Sequence, residues 1–150
     1  MENIKSQLYD LCEHLMAQRI DTAETALAQA REASNDDTKS SAGDKFETTR
    51  EMMQQDITRN KGLLMDAKQN LKVLEAIKDT PKSDRVKSGS LVETSEGIFY
   101  ISISVGQLKV EGKPFFAISA LSPIGQLLLG KKVDDAVSFN NRKYIIKDIN

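Results

Sequence analysis

No proline occurs before Pro81, and the residues ahead of it include few glycines. Proline costs about 3 kcal/mol inside a helix and glycine about 1, so their scarcity over such a length leaves long helices as the natural state. Residues 2–33 contain neither and are rich in Ala, Leu, Gln and Glu. Ile4, Leu8, Cys12, Met16, Ile20, Ala23, Leu27 and Ala30 recur every three or four residues, which predicts one apolar stripe along a helix. Leu11 and Leu15 widen it toward the N-terminus.

A second helix follows from Phe46, Met53, Ile57, Leu64, Ala67, Leu71 and Leu74, with Arg50 and Asn60 as polar interruptions of the seam. Leu63, Val73 and Ile77 add a second apolar edge. Each helix spans about 32 residues, or roughly 48 Å. The join, Ser34-Asn35-Asp36-Asp37-Thr38-Lys39-Ser40-Ser41-Ala42-Gly43-Asp44, is rich in turn and capping residues. Two such helices with a short polar join predict an antiparallel coiled-coil hairpin over residues 1–78, its tip at about 34–45. Asp44 with Glu47 three residues later resembles a capping pair for the second helix, with Asp in place of the usual Ser or Thr.

Residues 79–88, containing Asp79-Thr80-Pro81, read as a linker. Residues 89–150 then carry strand signals. Strands are predicted over 90–94, 97–105, 107–110 and Lys113–Ser119, and a hairpin over 138–149 turning at Asn140-Asn141. Ser122 suits a helix N-cap, Pro123 the first helical position and Gly130 the stop, so a short helix is predicted between them. The fold class is therefore α+β: a helical hairpin followed by a small antiparallel β domain with one short helix.

Charge divides along the same line. Residues 1–85 hold 13 basic and 16 acidic side chains, and residues 86–150 hold 8 and 6. A total of −1 excludes a generic basic nucleic-acid coat and a polybasic membrane anchor. Aromatic residues at 5%, with no Trp, argue against a base-stacking platform. The single cysteine forms no internal disulfide and the single histidine no multi-histidine metal site. Cys12 and His14 stand two apart on a helix and point away from each other, so they form no nucleophile–base pair. No apolar run reaches the ~20 residues of a membrane span and no signal-peptide core opens the chain, so a cytoplasmic location is expected.

The run from Ala117 to Ile149 resembles the C-terminal domain of Gre-type bacterial transcription elongation factors. The residues that carry the likeness are Ser122, Pro123, Gly125, Leu128, Leu129, Gly130, Lys131, Val133 and Asp135. The family sets a long antiparallel coiled coil before this domain, and residues 1–77 match that order. The resemblance implies an FKBP-like fold for residues 89–150. It also implies a partner, RNA polymerase, entered through its secondary channel by the coiled-coil tip, with only indirect contact with nucleic acid.

In that family the tip acids help the polymerase cleave its own backtracked RNA. The resemblance thus implies no independent enzyme and no cofactor beyond magnesium shared at the polymerase active site. The candidate metal-approaching acids are Asp36, Asp37, Asp44 and Glu47, and the candidate docking residues are Lys131 and Lys132. The family's two acidic tip positions fall on Lys39 and Ala42. Three functions stay open: an elongation regulator that stimulates cleavage, a regulator that occupies the channel without cleaving, and a coiled-coil adaptor unrelated to polymerase. A monomer with no membrane association is expected.

Overall fold

A computed structural model describes residues 2–37 and 43–150, with side chains over 3–33 and 48–150. Helix α1 is Glu2–Asp37 and α2 is Gly43–Ile77, 36 and 35 residues long. Both extend past the expected 32, because the polar residues of the join continue the helices. Strands β1 (Leu91–Thr94), β2 (Gly97–Ser102), β3 (Gly106–Val110) and β4 (Lys113–Ser119) follow. Helix α3 (Pro123–Leu128) precedes β5 (Ala136–Phe139) and β6 (Arg142–Ile149). The chain is α+β: two long helices, then a six-stranded mixed sheet. No helix among the described residues is long and apolar enough to cross a membrane.

The chain divides into two compact units, one of Met1–Glu13 with Lys72–Asn150, the other of His14–Leu71. In the second unit, Met16, Ala23, Leu27 and Ala67 are buried while Met52, Leu63 and Met65 are exposed. The three- and four-residue stripe therefore locates the covered face of α1, and Leu63 does not extend the covered face of α2. Asn60 directs its side-chain amide to the Asp56 carbonyl of its own helix at 2.9 Å.

In the first unit the sheet order is β3-β4-β2-β1-β6-β5. The expectation of a wholly antiparallel sheet is corrected here, because β2 and β4 pair in parallel, Phe99 opposite Phe116 and Tyr100 opposite Ala117. The chain leaves β2, passes one strand position to form β3, and returns as β4 into the gap. Strand alternation cannot report this, since it sets which face a side chain takes and not which strand lies beside it.

Alternation sorts the residues into two layers. Val92, Phe99, Ile101, Val137, Tyr144, Ile146 and Ile149 form one core with Leu128 of α3 and with Val86. The spacing from Ile146 to Ile149 breaks the period of two. The register between β1 and β6 slips between Glu93 and Thr94, leaving Lys147 without an opposite residue. That bulge returns Ile149 to the core face beside Val92. On the other layer Tyr100 is 1% exposed and Ser102 4%. Cys12 of α1, itself fully buried, lies against both.

The β5–β6 turn matches its sequence. Asn140 and Asn141 hold φ of 51° and 65°, the left-handed pair that a two-residue hairpin needs and that asparagine tolerates.

Candidate functional site

The segment that follows β4 is built by local chemistry. Ser122 is the N-cap of α3: its Oγ accepts from the Gly125 amide at 3.1 Å and donates to the Ser119 carbonyl at 2.6 Å. One hydroxyl thus satisfies an orphan helix donor and fixes the end of β4. Pro123 occupies the first turn, where its missing N–H is no loss. Gly125 is needed for space. A Cβ there would collide with the Ser119 carbonyl oxygen and stand 2.9 Å from Ser122 Oγ.

The C-terminal end is equally determined. Leu128 is fully buried and anchors the helix in the core, with Leu129 half-buried as the C-cap. Gly130 takes φ +78°, where a side chain would be strained. Its amide donates to the Val86 carbonyl at 2.8 Å, and Val86 in turn donates to the Lys131 carbonyl at 2.8 Å. The Arg85 guanidinium donates to the Gly130 carbonyl at 3.1 Å. Arg85 and Val86 fall in the segment read as a linker, and the only hint of this anchoring was an isolated valine among polar residues.

Ser122, Pro123, Gly125, Leu129, Gly130, Lys131 and Lys132 follow one another along the α3 segment, with Pro123, Gly130 and Lys132 exposed and Gly125 buried. Lys131 is half-buried and Lys132 exposed, and the Lys132 amide donates to Asp135 Oδ2 at 3.0 Å. Leu121, Leu127 and Val133 in the same stretch are 82%, 38% and 43% exposed.

Asp36, Asp37, Asp44 and Glu47 belong to the helix ends by backbone, but their side chains lie outside the described residues, as do Lys39 and Ala42 altogether. Among the described residues no three His, Cys, Asp or Glu side chains gather into a metal-binding group.

Cys12 is a packing residue. Burial pushes its thiol up to about 11, with a smaller opposing effect from the hydrogen bond to Ser102. A thiol held protonated is a poor nucleophile. Burial also raises Tyr100, with further contributions from Cys12, Tyr9 and Asp10. Tyr9 lines an open cavity of about 360 Å³ with Lys5, Asp10, Asp79 and Tyr100. Its hydroxyl is closed off from solvent, and the Glu13 carboxylate is close enough to act on it as an acceptor. Desolvation and then the carboxylates of Glu13, Glu75 and Asp79 raise its pKa.

Compared with protein-family models and with curated proteins, the chain matches none.

Proposed function

We propose that this protein regulates transcription elongation by binding RNA polymerase at the secondary channel, as Gre-type factors do. The observation that carries the reading is the order of elements. Two consecutive helices of 36 and 35 residues precede a six-stranded sheet whose short helix opens with Ser122-Pro123. On this reading α1 and α2 form an antiparallel coiled coil. In support, α1 residues Leu15, Arg19 and Ala23 and α2 residues Asn60, Leu63 and Ala67 line one groove. Residues 89–150 are the FKBP-like domain, and its Lys131 and Lys132 meet the polymerase.

The junction of the two helices is the probe. Residues 35–47 carry four acids, Asp36, Asp37, Asp44 and Glu47, against two lysines. Carboxylates suit the approach to hard divalent cations, and a two-metal site lowers the barrier to phosphodiester hydrolysis. The catalytic centre and its magnesium are the polymerase's own. The protein acts in the cytoplasm as a monomer.

A second reading, docking without cleavage, is favoured by Lys39 and Ala42 at the two positions where the family carries acids. One experiment separates the readings. The folded protein is titrated onto its host's core polymerase at physiological salt, in competition with a known secondary-channel ligand. Saturable, competed binding is expected, and a folded protein without affinity overturns both readings. Replacing Asp36, Asp37 and Asp44 by Asn then abolishes stimulated RNA cleavage under the first reading, and leaves the transcriptional effect largely intact under the second.

A further inference from the structure

We draw no further inference here: the strongest candidate, the groove of about 670 Å³ lined by α1 and α2 around Ala23, Leu63 and Ala67, is an unpartnered surface and nothing in the structure shows what covers it.

Discussion

Ser122 and Gly125 hold one another: the serine Oγ accepts the glycine amide at 3.1 Å, and the glycine has no Cβ to push that oxygen away. The pair closes the first turn of α3 against the end of β4, and the Ser122–Gly130 segment takes its shape from it.

Removing the cap tests one half of the pair. Ser122→Ala leaves the Gly125 amide without its acceptor, so stability falls by about 1 kcal/mol. Thermal unfolding shifts down by roughly 2–4 °C. An unchanged midpoint would show that solvent replaces the cap at no cost.

The two helical glycines outside the helix ends respond with opposite signs. Gly62→Ala meets no atom within 4 Å and gains helix propensity, so α2 is stabilised by about 0.5–1 kcal/mol. Gly125→Ala gains the same propensity but meets the Ser119 carbonyl, and overpacking of about 1–3 kcal/mol outweighs it. Denaturant midpoints of the two variants therefore move in opposite directions, and a stabilised Gly125→Ala would refute the close approach.

Core and surface leucines near α3 differ by burial alone. Leu128→Ala empties a fully buried site and costs about 2–5 kcal/mol, whereas Leu121→Ala, at a position 82% exposed, changes stability by less than about 0.5 kcal/mol. Equal stability losses in the two variants would contradict the assigned burial.

Alkaline pH destabilises the fold through Cys12. Its thiol titrates at 9.0 when unperturbed and at about 11 in the folded protein. Between those values the unfolded chain has released a proton that the native state retains, so unfolding becomes easier as pH rises. The contribution is fully present below pH 9 and is lost progressively toward about 11. Melting temperatures measured across that range fall less steeply in Cys12→Ala than in the parent, compared as slopes so that the variant's lower starting stability does not matter. Tyr9 and Tyr100, both raised by burial, keep part of the slope in the variant. In the parent protein Cys12 also resists a thiol reagent until the protein unfolds, and rapid labelling of the native state would contradict its burial.

Much of the secondary structure was legible because its causes are local. The apolar stripe of α1, the β4 limits Lys113–Ser119, the Asn140-Asn141 turn and the Ser122-Pro123 start of α3 each follow from residues within a few positions of one another. The conformation of the Ser122–Gly130 segment was legible for the same reason, since its serine, proline and glycines each answer a demand of their own backbone. Arg85 was not, because its partner is the Gly130 carbonyl, 45 residues away in sequence.

The sequence by itself determined where helices, strands and turns form, and which side of each is apolar. Only the tertiary structure decided which strands meet. It placed β4 rather than β3 beside β2 and inserted the Lys147 bulge that keeps Ile149 with Val92. It also set Cys12 against Tyr100 and Ser102. Periodicity and capping act over one or two turns of chain, whereas strand order and buried contacts depend on surfaces that become neighbours only when distant segments pack.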